Sequence, residues 1–450
     1  MKARAVSIGT AVGLAVAVFV VGALGPSNDR GITPEPIARD ASADAFLFRA
    51  SAPGALDAAI ASLEGRLEAV PDDWEASAAL GTAYVQQARI TSDPSAYPLA
   101  RTALRRSLTL QPTGNAGALV GLGSLAAARH DFAGALAWGR RAVRTAPFDA
   151  DAYGVLGDAQ LELGRYGAAF ASFQRMVDTR PDLASYARVS YALELRGNTA
   201  GAIDAMRAAF DVAGSRPDAA WAAAQIGKLH FGAGRIGDAR AWFRRARAAD
   251  PDSMEAAAGL ALVAWASGDL PVAIAGYERL AARYPSPEHV ATLGDLYAAA
   301  GEGEAAAAQF DLVRAEARLF RANGVNTDLE IALFEADHPG PSSARAALRA
   351  ARAEWGKRTS VHVADALAWA LYANGRYRQA AAASEQALRL GTRNALFLFH
   401  AGMIRLRLGD RDAAERFLRE AFDVNPFFSV RWSPVLTEMR ERLGDPSGES

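Results

Sequence analysis

The chain has 450 residues, 49 Lys and Arg against 50 Asp and Glu, and no cysteine. A net charge of −1 offers no basic footprint for nucleic acid. The missing cysteines exclude disulfides, thiolate metal sites and a cysteine nucleophile. Half the residues are apolar, Ala runs dominate, and no alternating strand pattern of useful length follows the N-terminus, which points to helices throughout.

Lys2 and Arg4 precede an uncharged apolar run from Ala5 to Gly25. Twenty-one residues at a helical rise reach roughly 30 Å, the thickness of a bilayer core. Residues 1–25 therefore read as a signal anchor or a signal peptide. The length of the run and Pro26, just after the small residues Ala23 and Gly25, favour the uncleaved anchor, and a cleaved signal stays open. Either form puts the bulk of the chain outside the cytoplasm: a single-pass membrane protein, or alternatively a secreted one. Residues 26–50, with Pro26, Pro34, Pro36 and Gly31, read as a flexible tether. Residues 51–73 hold a capping helix that closes at Pro71.

From Trp74 a pattern returns about every 34 residues. Its clearest copy is Asp151 to Met176: Leu156-Gly157 in a first helix, Gly164 at a turn, Ala169 and Phe173 in a second helix, and Pro181 at the exit. Leu80-Gly81, Leu122-Gly123, Ile226-Gly227 and Leu293-Gly294 repeat the first half elsewhere. A small residue lets the two helices approach, a large one opposite fills the gap, and proline ends the second helix. In the first unit a loop from Arg89 to Pro98 delays the second helix, and the fourth unit exits late, at Pro217. Counting by 34 also finds a unit at Thr327–Ser360, the eighth, with Phe334 where glycine is expected. Six repeats fill residues 74–286 and four fill 287–428; residues 429–450 are a capping helix and tail.

The motif resembles the tetratricopeptide repeat (TPR) over Trp74 to Phe428. That resemblance implies an all-α, right-handed superhelical α-solenoid in which ten units share one continuous core. It also implies a scaffold whose first helices line a concave groove for a peptide or helix of a protein partner. Carried onto this sequence, the family's groove positions fall on Asp151, Asp158 and Glu162; Tyr191 and Glu194; Trp221, Lys228 and Phe231; Glu255, Leu262 and Trp265; His362, Asp365, Trp369 and Tyr372; and Phe399, His400 and Met403. Tyr191, Glu194, Trp221, Lys228, Phe231, Trp265, Trp369 and Tyr372 are the expected partner-binding residues, aromatic anchors with acidic neighbours. The paired Lys and Asn with which chaperone-binding members grip a carboxylate are absent.

A second reading comes from a wall of acids and histidines in repeats seven to nine. Asp295, Asp328, Glu335, His338, His362 and Asp365 share that wall and would suit a divalent metal or a cationic ligand. Their spacing matches no metal motif. No nucleophile elbow, phosphate loop or zinc-protease motif occurs, so the sequence points to a non-enzyme without a cofactor. The expected partners are protein in the groove and membrane at the N-terminus, with no nucleic acid.

Overall fold

The computed structural model describes residues 53–444, apart from positions 92, 284, 339 and 341. The apolar run and the tether lie outside the described residues. Among the described residues there are 22 helices and no strand, and no helix is long and apolar enough to cross a membrane.

The helices pair as α-hairpins. α1 (Pro53–Ala69) precedes the array. α2 (Trp74–Thr91) pairs with α3 (Ala96–Leu110), α4 (Ala116–Ala128) with α5 (Phe132–Thr145), and α6 (Ala150–Glu162) with α7 (Tyr166–Thr179). Then come α8 (Leu183–Leu195) and α9 (Thr199–Asp211), α10 (Arg216–Gly232) and α11 (Ile236–Ala249), and α12 (Met254–Ala266) and α13 (Leu270–Arg283). α14 (Pro287–Ala299) pairs with α15 (Gly303–Ala322), α16 (Asp328–Asp337) with α17 (Ser343–Trp355), α18 (Val361–Ala373) with α19 (Tyr377–Ala387), and α20 (Ala395–Arg407) with α21 (Arg411–Val424). α22 (Ser433–Gly444) closes the array.

Local chemistry sets the boundaries. Asn115, Asp131, Asn198 and Asp410 each cap a helix N-terminus with the side-chain oxygen, and Asp182 with Ser185 forms a reciprocal capping box. Two sequence expectations need correcting. α2 runs on to Thr91 and α3 starts at Ala96, so Arg89 is helical and Pro98 sits in the first turn of the next helix. Pro217 likewise opens α10 rather than closing α9, which ends at Asp211. A proline in a first turn loses no helical hydrogen bond, so it starts helices as readily as it stops them.

Apolar clusters recur along the array, several of them shared by neighbouring hairpins. A Cβ on Gly157 would lie 2.5 Å from the Phe173 ring, and one on Gly294 would lie 2.4 Å from Phe310. In the eighth unit Phe334 occupies the small-residue position, itself 3% exposed and packed edge-on against Phe310 at 5.9 Å.

The superhelix also touches itself. The turns inside units two to five dock on the loops that enter units eight, nine, ten and α22, in each case 194 to 197 residues further on. Asn326 donates its backbone N–H to the Arg129 carbonyl at 3.1 Å. Val361 donates its N–H to the Tyr166 hydroxyl at 2.7 Å. The Thr392 hydroxyl donates to the Leu195 carbonyl at 2.5 Å, and Asn425 Nδ2 to the Phe231 carbonyl at 2.9 Å. One superhelical turn thus takes roughly five to six 34-residue units, and a seam joins each turn to the next.

Candidate functional site: an axial cavity behind a polar seam

The seam closes the groove into a cavity of about 1080 Å³. Its wall comes from α8, α10, α12, α14, α16 and α18, the start of α20, and the segment from Asp423 to Trp432. Arg89 reaches in from α2.

The seam itself is densely charged. Arg358, 3% exposed, donates from Nη1 to Glu162 of the previous turn and from Nε to Glu354 of its own unit. Its guanidinium lies 4.5 Å from the Phe132 ring centre. Asn326 Nδ2 donates to the second oxygen of Glu354 at 2.6 Å. Burial works against the charge on Arg358, but Glu162 and Glu354 outweigh it and hold the guanidinium above its ordinary range. Beside this network Arg188 grips Asp158 with two hydrogen bonds of 2.9 and 2.8 Å, both side chains buried. Asp158 and Glu162, expected in the groove, are therefore internal ion-pair partners.

Four of the expected partner-binding residues line the cavity: Tyr191, Glu194, Lys228 and Phe231. Four do not. Trp369 is 2% exposed, stacked between Tyr372 at 4.5 Å and His400 at 4.0 Å, and donates its indole N–H to Asp337 at 2.7 Å. Tyr372 packs on its other side against Tyr377. Trp265 meets Phe427 edge-on at 6.3 Å, and Trp221 packs on the core between α8, α9 and α10. The aromatic wall expected of Trp221, Trp265, Trp369 and Tyr372 is packing between neighbouring helices, which bury flat, bulky rings more completely than a groove can.

The acid and histidine wall separates into pairs. His338 Nε2 sits 3.0 Å from Asp295, with its ring against Phe310 and Phe334. Glu335 accepts from Arg314 at 2.9 Å, and Asp328 from Lys357 at 2.6 Å. Asp365 faces His400 Nδ1 with both oxygens at 3.0 Å. His362 stacks near Tyr191 at 6.4 Å with Phe397 at its edge, 5.5 Å away, and burial pushes it down to about 4. Among the described residues no three such side chains converge as a metal would require. Each of the four acids adjoins a base, and His362 packs among aromatic rings, so the six do not form one ligand set.

The eight acidic side chains on the cavity wall outnumber the four from Lys and Arg. Glu194 is exposed and lines the cavity; the protein around it pushes its carboxyl up to about 7, against the pull of Lys228. Asp337 accepts from two indoles, Trp369 at 2.7 Å and Trp432 at 2.9 Å, and burial raises it too. Glu330 was missed by the sequence reading. It is 5% exposed and lines the cavity, and neither oxygen has a hydrogen-bond partner. A buried acid inside an otherwise apolar Asp-Leu-Glu-Ile-Ala-Leu-Phe stretch was the available signal.

A family model described as tetratricopeptide repeat matches residues 95–150, 140–184, 186–254, 224–287, 258–319 and 366–425. No curated protein sequence matches. Among solved structures, the chain is similar to PilW, a type IV pilus biogenesis factor, at 20% identity and a TM-score of 0.38, over 44% of this chain and 92% of that one. It is also similar to a chain of the APC/C hetero-tetramer Cut9–Hcn1, at 15% identity and a TM-score of 0.37, over 90% and 97%. With the repeat model matched over more than half its length, and hairpin after hairpin in the structure, this chain belongs to the tetratricopeptide repeat family.

Proposed function

We propose that the chain is a non-catalytic scaffold that holds a peptide or helix of a protein partner inside its axial cavity. The observation that carries this reading is the joint placement of Tyr191, Glu194, Lys228 and Phe231, with Leu262 and Glu255, around one cavity of about 1080 Å³. Apolar and charged groups alternate there, as a protein segment would need. The absence of any catalytic motif in the sequence supports a binding role. The apolar run behind Lys2 and Arg4 supports export, with the array tethered outside the cytoplasm or released.

A photo-crosslinking amino acid at Phe231, in the cavity, and at Phe148, 80% exposed on a turn outside it, tests the reading. Discrete protein adducts from position 231 and none from position 148 are expected. Equal adduct patterns at the two positions would remove the cavity as the binding site. A carbonate wash of membranes separates tethered from released forms: an anchored chain stays in the pellet.

A further inference from the structure

The proposed function leaves the chemistry of the partner open, and the cavity wall narrows it. A buried carboxylate normally ends up paired, hydrogen-bonded or protonated, because taking it from water without compensation costs several kcal/mol (about 3 or more). The seam obeys that rule: Glu162 and Glu354 share Arg358, and Asp158 has Arg188. Glu330, one helical turn from the same network, does not. The Arg358 guanidinium attracts its carboxylate without a hydrogen bond to it, and one oxygen lies 3.7 Å from His130 Nδ1. That nitrogen is 2.7 Å from the Asn326 carbonyl, so its proton is directed there. Glu330 belongs to the cavity wall, and so do Leu329 and Leu333 on either side of it in α16. An acidic residue thus stands among apolar neighbours in a wall that Glu194 also lines from the opposite turn.

We infer that the cavity receives a basic amphipathic segment of the partner, one that brings a lysine or arginine to the acidic wall at Glu194 and Glu330 and leucine-like side chains against Leu333 and Phe231. This deepens the reading above and rests on it. Charge complementarity selects the occupant: the excess of acid over base on the wall favours a cationic segment and repels an acidic one. Glu194 adds a second contact. Its carboxyl is pushed up to about 7, and a nearby cation favours the ionised form, so binding a basic segment releases protons near neutral pH.

The test uses the full chain and a fluorescent synthetic peptide of about eight residues alternating lysine and leucine, with a glutamate–leucine peptide as control. Anisotropy is expected to show binding of the first and none of the second, with affinity falling as salt rises. Glu330→Gln should weaken binding about tenfold and Glu194→Gln about threefold, each with an unchanged melting temperature or a higher one. If Glu330→Gln fails to fold, Glu194→Gln carries the test, since its side chain is exposed and lines the cavity. Equal affinity of wild type and variants for the lysine peptide, or equal binding of the two peptides, overturns the inference. Failure here with crosslinks still forming from position 231 leaves a cavity-binding scaffold with a non-basic partner. Loss of both removes the cavity reading as well.

Discussion

Gly197 and Gly301 hold the same place in their repeats, the turn after the first helix, and both are left-handed, with φ of 72° and 81°. Their surroundings differ completely. A Cβ on Gly301 would meet nothing within 4 Å, whereas one on Gly197 would fall 2.4 Å from the Gly391 carbonyl oxygen of the next superhelical turn. Gly164 is crowded in the same way by the Thr359 carbonyl, and Gly268, Gly375 and Gly409 are open like Gly301. The difference teaches that a repeat position takes on a second role when the array coils back on itself. Along the first turn, the glycine both ends a helix and lets the following turn come within hydrogen-bonding reach. In later units it only ends a helix.

The sharpest way to break the seam is to remove its charge. Arg358→Met leaves Glu162 buried without its partner and takes one partner from Glu354. The expected loss is about 3–5 kcal/mol, read as a lower urea midpoint. Pairing Arg358→Met with Glu162→Leu should recover part of it, because the uncompensated charge is then gone from the older turn. A loss below about 1 kcal/mol for the single variant would mean the two turns are held by something other than Arg358.

Alanine at the two glycines measures the same contrast through the backbone. Gly301→Ala should cost about 1–2 kcal/mol, the usual strain of a left-handed alanine. Gly197→Ala carries that strain and must also push the Gly391 carbonyl away, for a further 1–3 kcal/mol or so. Equal melting temperatures for the two variants would mean the seam yields freely at that point.

The 34-residue beat made most of this fold legible. Leu-Gly pairs, turn glycines and exit prolines are local signals, and they located the hairpins, including Thr327–Ser360 where Phe334 breaks the motif. The seam left no such trace. Its contacts join residues 194 to 197 apart, a distance set by superhelical pitch, and nothing in Arg358 or Thr392 separates a seam residue from a surface one. The cavity was half legible for a related reason. First-helix positions identified Tyr191, Glu194, Lys228 and Phe231. Trp221, Trp265 and Trp369 do not line the cavity, because the same positions can turn sideways into a neighbouring helix, as Trp369 does to reach Asp337 and His400.

The cavity differs from the seam in its response to pH. Glu194 titrates near its ordinary value of 4.5 when unfolded and at about 7 when folded. The folded chain therefore binds the extra proton, and the stability this contributes is complete below about pH 4.5 and lost as pH rises through 7. Cavity water reaches the carboxyl, so the loss should stay below about 1 kcal/mol. Glu194→Gln should flatten that part of the melting-temperature profile. An unchanged slope would place Glu194 in ordinary solvent, with the cavity open around it.

His130 offers the finest test, because it is the seam turn that carries no glycine. It stands where Gly164 and Gly197 stand in the next two units, and its φ of 58° is the one positive value among the described non-glycine residues. Histidine tolerates this region better than most side chains, yet glycine would relieve about 1 kcal/mol of strain. The imidazole gives something back: Nδ1 lies 2.7 Å from the Asn326 carbonyl, and that hydrogen bond is worth about 1 kcal/mol. The two terms oppose each other, so His130→Gly should leave the melting temperature within a degree or two of wild type. A hydrogen-exchange measurement separates them. Strain relief acts on the α4–α5 turn, whereas the lost hydrogen bond acts on Asn326 and Thr327, almost two hundred residues away. Faster exchange at those two amides, with the overall stability unchanged, is the outcome expected if the histidine is a seam contact. Unchanged exchange there would make His130 a strained turn residue and nothing more.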